Sequence, residues 1–291
     1  MEPTSGSTGT VVAVWRYPVK SMQGEEVNGA LLTDRGVPGD RSYAVLERAT
    51  GHIASAKHPR KWGKLFACRA AFVEPPQPDL PLPPVWITLP DGAVLHSADP
   101  DIDERLSRSL GRAVALVTTG AAMPTREANR TSIEELDVQE RIMVETMARA
   151  APQGTFFDYA PLHLLTTATL DRLRALYPAG RFEARRFRPN LVVAPHHGEP
   201  DFVENAWIGR RMGVGPAALL SLIDPCPRCV VATLAQGDLP RDLGILRMAA
   251  QANAVASATL APGIVLPAVA GVYASVLQGG RIARGDSVHL A

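Results

Sequence analysis

Apolar residues in this chain come in short runs, and each run is cut off by turn chemistry before a long helix can form. Val11 to Val14, Gly29 to Thr33, Ser42 to Glu47, Leu65 to Phe72, Val85 to Leu89 and Ala113 to Val117 are all strand-sized. Between them lie Arg35-Gly36-Val37-Pro38-Gly39-Asp40, Ala49-Thr50-Gly51 and Pro90-Asp91-Gly92, built from residues that favour turns. Strands so short and so closely spaced predict a barrel or sandwich rather than a layered α/β sheet. Further on, Leu191 to Ala194, Ala217 to Ile223, Val230 to Thr233 and Ser287 to Leu290 read the same way. Helices are expected at Glu104 to Leu110, at Thr167 to Tyr177 and at Gly244 to Ala254. In the second, Leu170, Leu173 and Leu176 mark an apolar face and Thr166 or Thr167 the cap. The carboxylates of Asp99 to Glu104 read as the cap of the first helix.

The expected fold is therefore mainly β with some α. A disordered tail (1–9) precedes a β-barrel-like N-terminal domain (10–120), and a polar, partly helical linker region (121–153) leads to a second β-barrel domain (154–291). With 291 residues, either unit can bury a core. Pro75 to Pro84 carries six prolines and reads as an exposed loop. The net charge of +1 supplies no global field to recruit nucleic acid or an anionic membrane, so any anion site must be local. Three cysteines, Cys68, Cys226 and Cys229, do not make a disulfide scaffold. The N-terminus is small and polar, and no apolar run approaches the roughly 20 residues of a membrane span. These features suit a reducing cytoplasm.

Chemistry concentrates in three places. Cys226-Pro227-Arg228-Cys229 sets two thiols three apart, which can ligate a metal, form a redox pair or lie buried. Zinc would need further ligands, and the adjacent His196 and His197 point in opposite directions on an extended chain. A thioredoxin-like pair would precede a helix, whereas the β-branched Val230 to Thr233 reads as strand. Arg228 argues against plain burial, because a guanidinium beside a thiol favours thiolate. Next, Arg185-Arg186-Phe187-Arg188-Pro189-Asn190 offers forks and an amide to a phosphate or a pterin edge, with Pro189 restricting Arg188 to an extended conformation. A solvated basic turn is an equal reading of that spacing. Finally, Tyr17-Pro18-Val19-Lys20-Ser21 with Gly39-Asp40-Arg41, and the run Lys57-His58-Pro59-Arg60-Lys61, add charges and a hydroxyl. His52, His96 and His163 receive no role.

Taken in order, these segments, with Phe202 to Trp207 and the closing Gly280-Arg281-Ile282-Ala283-Arg284-Gly285-Asp286-Ser287-Val288, resemble the MOSC family with its N-terminal β-barrel domain, as in the mitochondrial amidoxime-reducing component and its bacterial relatives. The similarity spans about residues 10 to 290. It implies a molybdenum cofactor (Mo-molybdopterin) whose metal is bound by Cys229. The pterin and phosphate would be held by Lys20, Ser21 and Arg41 from the first domain. From the second come Arg188, Asn190, the loop at Tyr159 and Ala160, and the turn at Cys226 and Pro227. The 158–161 loop lacks the small hydroxyl residues some members present there, so its contacts would be through backbone.

The resemblance implies an oxidoreductase that reduces N-hydroxylated or N-oxide small molecules. The chain has no Gly-rich dinucleotide loop, no flavin signature and too few cysteines for an iron–sulfur cluster, so electrons would come from an external electron-transfer protein or reductase. A sulfur-transfer or cofactor-maturation protein carrying a Cys229 persulfide is the alternative, and a pure cofactor carrier a third.

Overall fold

The computed structural model describes residues 7–118, 123–136, 138–196 and 201–291. His197 and residues 1–6 of the expected tail lie outside them. Strand (36%) outweighs helix (18%) twofold, as the short runs predict. Seven strands form a closed barrel. In chain order they are β1 (Gly9–Arg16), β2 (Leu162–Thr166), β3 (Leu191–Pro195), β4 (Arg211–Val214), β5 (Ala218–Pro227), β6 (Val269–Gln278) and β7 (Ser287–Leu290). Around the barrel the order is β3-β2-β6-β5-β4-β7-β1, and β1 returns to β3.

The first strand of the chain thus closes a barrel whose other six strands come from beyond residue 160. β1 runs antiparallel to β3, with Thr10 opposite Ala194 and Val14 opposite Leu191, and its start also pairs with β7. Alternation along β1 sends Val11 and Val14 inward, with a register shift between Val11 and Ala13. They join Leu164, Leu191, Val193, Leu220, Leu222 and Val272 in one core. A separate core fills the N-terminal unit, where Val45, Leu65, Ile87, Leu95, Leu106 and Val114 meet. Its strands form the ribbon 44–47 with 114–117 and the three-stranded sheet 69–72, 85–88 and 94–96.

Several local expectations are corrected. Val230–Thr233 is a 3-10 turn, not a strand. Its β-branched composition is overridden by a buried arginine that holds the turn's carbonyls, described below. Gly63–Ala67 is likewise a 3-10 turn, so only Arg69–Phe72 of the expected Leu65 to Phe72 strand pairs as a strand. Between the two units, the expected partly helical linker contains an antiparallel ribbon, Thr125–Asn129 with Ile142–Thr146, and its alternation buries Arg126 and Ala128. Asp101 precedes helix Ile102–Leu110 without a side-chain cap bond, while Asp103 accepts from the Leu116 amide and pairs with Arg48. In helix Thr167–Leu176, Thr166 caps the Thr169 amide as expected, but Leu176 is exposed. Six residues at roughly 100° each place it well off the Leu170 and Leu173 face. The Pro75 to Pro84 loop is mostly exposed, with Pro83 buried where its carbonyl accepts from the Tyr43 hydroxyl.

A barrel closed by a strand from the other end of the chain should not form without it. The fragment 154–291 is expected to show no cooperative thermal transition by circular dichroism. A peptide of residues 7–18 added in trans should restore one. A sharp transition in the fragment alone would show that β1 is dispensable.

Candidate functional site

A cleft at one mouth of the barrel gathers residues from both units. Its walls include Lys20, Ser21, Arg41, Tyr159, Ala160, Arg188, Asn190, Cys226 and Cys229, every residue that the family resemblance implies for the cofactor except Pro227. Pro227 is the last residue of β5, opposite Val269. The cleft also takes in Lys57, Asp158, His163, Arg228 and Tyr273.

Strand geometry explains the gathering. Tyr17 to Ser21 leaves the end of β1, and Arg188 to Asn190 enters β3 beside it. The Asn190 side chain ties the two, donating to the Trp15 carbonyl (3.3 Å) and the Asp40 carboxylate (2.8 Å) and accepting from the His163 amide (3.1 Å). Asp40 also accepts from the Tyr17 amide (2.7 Å) and pairs with Arg41. Arg41 and Arg188 both lie over the Tyr17 ring, at 4.3 and 4.2 Å from its centroid. Arg188 does not take the extended conformation expected before Pro189. Its φ is 56° and its ψ 48°, left-handed values in which it ends the short helix Ala184–Phe187. Ser21 (φ 65°) and Arg41 (φ 48°) are left-handed as well, so three of the six such non-glycine residues described lie in this cleft. Gly39 (φ 80°) allows the turn before Arg41, where a Cβ would strike Phe72 at 2.5 Å.

The three arginines before Asn190 do different things. Arg185 pairs outward with Glu183 and Asp238. Arg186 is fully buried, with donors on the carbonyls of Arg181, Ala232, Leu234 and Pro240. It therefore pins the turn that follows Cys229. Only Arg188 reaches the cleft. Of the Lys57 to Lys61 run, Lys57 alone lines it, while Lys61 pairs with Glu47 and Glu127.

Cations dominate the cleft. Lys20, Arg41, Lys57, Arg188 and Arg228 line it against one lining carboxylate, Asp158, with Asp40 buried behind Arg41. Lys20 donates to Asp158 (2.7 Å) and to the Phe156 carbonyl (2.9 Å), and Arg126 and Lys57 share the same carboxylate. Burial would raise Asp158, but Arg126, Lys20 and Lys57 outweigh it and hold the carboxyl well below its usual range. Burial pushes the Lys20 ammonium down to about 7 despite Asp158, and desolvation beside Arg41 brings Arg188 to about 10. Placing this many cations together without an anion is costly, so the arrangement suits a multiply charged anion.

The two thiols are not equivalent. Cys226 is buried at the end of β5 and accepts from Arg228 Nη1 (2.6 Å). Burial raises its pKa, with Arg228 pulling in the other direction. Arg228 Nη2 donates to the Phe187 carbonyl (2.5 Å), and its Nε is buried with no partner. Cys229 begins the 3-10 turn and is half-buried, open to the cleft. Among the described residues no three metal-ligating side chains converge on one point. His196, considered for zinc, meets the Thr10 hydroxyl (2.8 Å) on β1.

Residues 152–289 match the MOSC domain and residues 8–68 the MOSC N-terminal beta barrel domain. The chain belongs to the MOSC family. Mitochondrial amidoxime-reducing component 1 of Homo sapiens is 25% identical over 239 residues, covering 78% of this chain and 66% of the relative. Mitochondrial amidoxime reducing component 2 of Homo sapiens is 26% identical over 236 residues, with 78% and 67% covered. The chain thus spans about two thirds of the length of these relatives. The solved YUAD protein from Bacillus subtilis aligns over 98% of this chain and 94% of its own at 10% identity, with a TM-score of 0.41. No helix among the described residues is long and apolar enough to cross a membrane.

Within the MOSC domain, sequence reasoning missed His163 and Tyr273. His163 Nε2 donates to the Ala270 carbonyl (3.0 Å), and burial holds its pKa well below the usual value, so it is neutral. Tyr273 lies on β6, a strand the short-run reading does not assign; its continuous apolar run, Val269 to Ala274, is the available signal. Arg126 was missed because its ribbon was read as linker.

Anion binding should follow Lys20. As pH rises through about 7 the ammonium loses its proton, and the cleft loses one positive charge. Sulfate affinity is expected to fall about tenfold between pH 6 and pH 8, measured by calorimetry. Lys20→Met should flatten that profile. A flat profile in the unaltered protein would show Lys20 charged throughout.

Proposed function

We propose that the cleft holds a molybdenum cofactor and that the protein is an oxidoreductase acting on N-hydroxylated or N-oxide small molecules. The observation that carries this reading is a half-open thiol, Cys229, at the edge of a cation-lined cleft wide enough to draw on both units. The residues fit such a group. Thiolate suits a thiophilic metal, the cations suit a phosphate, and the unpartnered Arg228 Nε is a buried donor awaiting an acceptor. Cys229 would ligate the metal, and Lys20, Ser21, Arg41 and Arg188 would hold the phosphate and pterin. Asn190, its amide fully used inside the protein, would act by fixing Asp40 and the β1 exit. When bound, the cofactor would supply a metal that changes oxidation state.

The overall reaction takes R–NH–OH, two electrons and two protons to R–NH2 and water. The electrons come from an external electron-transfer protein or reductase. The chain's own residues orient the anionic cofactor and keep Cys229 at the open edge. Arg228 engages Cys226 through Nη1 and leaves its buried Nε without a partner, so the buried thiol fixes the guanidinium and the open one would be left for the metal. The names of the human relatives, amidoxime-reducing components, support this substrate class. Sulfur transfer through a Cys229 persulfide is the second reading, favoured by the accessibility of that one thiol.

Elemental analysis of protein made in a cofactor-competent host should give about one molybdenum per chain, lost in Cys229→Ser and better retained in Cys226→Ser. Arg188→Ala should weaken cofactor retention about tenfold or more, since a charge-assisted hydrogen bond contributes about 1.5–3 kcal/mol. No molybdenum in the unaltered protein, with a persulfide on Cys229 by mass spectrometry, would decide for sulfur transfer.

A further inference from the structure

Cys229 borders two clefts. Besides the cationic one, it reaches a second, roofed by residues 129–136 of the segment between the two units and floored by helix Gly244–Ala252. The helix presents Leu246, Arg247, Ala250 and Gln251 on one face, and Ile133 and Leu136 face them across the gap. Ile133, Leu136 and Ala250 pack on the apolar core beneath, so these walls are anchored rather than loose. Arg247 Nη2 bridges the walls to the Glu134 carbonyl at 3.5 Å. The roof is stiffened at its root by Asn129, whose Oδ1 accepts from the Thr131 amide and hydroxyl and from the Arg141 amide.

The charges around Cys229 are arranged about this opening. Arg130, paired with both carboxylate oxygens of Glu145, lines the second cleft and lies near enough to Cys229 for their charges to couple. Arg228 does the same from the floor shared by both clefts. The second cleft combines the apolar Ile133, Leu136, Val230, Leu246, Ala250 and Pro267 with the guanidinium groups of Arg130, Arg228 and Arg247. The first cleft is the more cationic, with Lys20, Arg41, Lys57, Arg188 and Arg228 on its wall.

We propose that this second cleft is the substrate's approach to Cys229, and that it selects small N-oxygenated molecules with an uncharged apolar body and a neutral or anionic N–O head. The inference rests on the functional reading above and adds the route and the substrate class. The apolar body lies between Leu246 and Ala250 on one side and Ile133 and Leu136 on the other. The N–O oxygen accepts from Arg130 or Arg228 beside Cys229. Cationic bodies are disfavoured by the arginines. The cofactor would occupy the first cleft, so substrate can exchange through the second while the cofactor stays bound.

Two exposed lining residues, Ser132 and Gln251, can be enlarged without disturbing the core. In Ser132→Trp and Gln251→Trp, molybdenum content and the thermal transition are expected to match the unaltered protein. The KM for an aromatic amidoxime should rise at least tenfold more than that for hydroxylamine. In full-length protein made without molybdate, labelling of Cys229 by N-phenylmaleimide should slow at least fivefold relative to iodoacetamide. Unchanged selectivity and an unchanged labelling ratio would overturn the route, including the case where the variants only slow electron delivery by a reductase and so mark a docking surface. If the unaltered protein holds no molybdenum, the functional reading fails, and the labelling ratio still decides whether Cys229 is reached through this cleft.

Discussion

Closure of the barrel by β1 is the interaction on which the site depends. Each strand has two edges, and without β1 one edge of β3 and one of β7 would be left open. Pairing with both removes those edges and buries Val11 and Val14 against residues from the far end of the chain. The same pairing sets where the chain emerges. β1 ends at Arg16 beside the start of β3, so Tyr17, Lys20 and Ser21 come to the barrel mouth opposite Arg188. The Asn190 amide, bonded to Trp15, Asp40 and the His163 amide, then fixes the spacing between the two loops. A cleft shared by two units follows from one strand exchanged between them.

That cleft is held in an energetically unfavourable arrangement. Five cations line it, and the carboxylates nearest them are already committed, Asp158 to Lys20, Arg126 and Lys57, and Asp40 to Arg41, Tyr17 and Asn190. Burial pushes the Lys20 ammonium down to about 7, because the site solvates its charge poorly. Ser21, Arg41 and Arg188 also hold left-handed backbone, at about 1–3 kcal/mol each. Strain and uncompensated charge in one place are stabilised by the packing around them and relieved by an anion. The charge excess is confined to the cleft, since the chain as a whole carries a net charge of only +1.

The sequence was informative where local rules decide and silent where distant parts of the chain meet. Run lengths and turn residues led to the β class, and ordered motifs led to Lys20, Ser21, Arg41, Arg188, Asn190, Cys226 and Cys229 on the cleft wall, because residue types in turns and at strand ends are locally constrained. What stayed hidden was tertiary. Nothing in Val11 to Val14 reveals that its partners lie 180 residues away. His163 looked like any isolated histidine, and only the Ala270 carbonyl and the cleft wall beside it give it a place. The 125–146 ribbon was obscured by its polarity, since only one face of it is buried. Arg188 escaped the conformation that Pro189 favours because helix Ala184–Phe187 needs a left-handed residue to end it.

Arg186 shows most clearly how charge spacing alone misleads. It stands in a run of arginines that reads as an anion site, yet it does not line the cleft. Its guanidinium gathers four backbone carbonyls, two of them from the turn after Cys229. Val230 to Thr233 would favour strand on composition, and a strand would carry the chain on along the direction of β5. The carbonyls of Ala232 and Leu234 instead point at Arg186, which stabilises a tight turn and leaves Cys229 at its outer edge. Cys226, three residues earlier and still in the strand, stays inside against Arg228. The difference between a buried thiol and an open one, on which any metal chemistry here depends, is therefore set by an arginine that would never contact the metal.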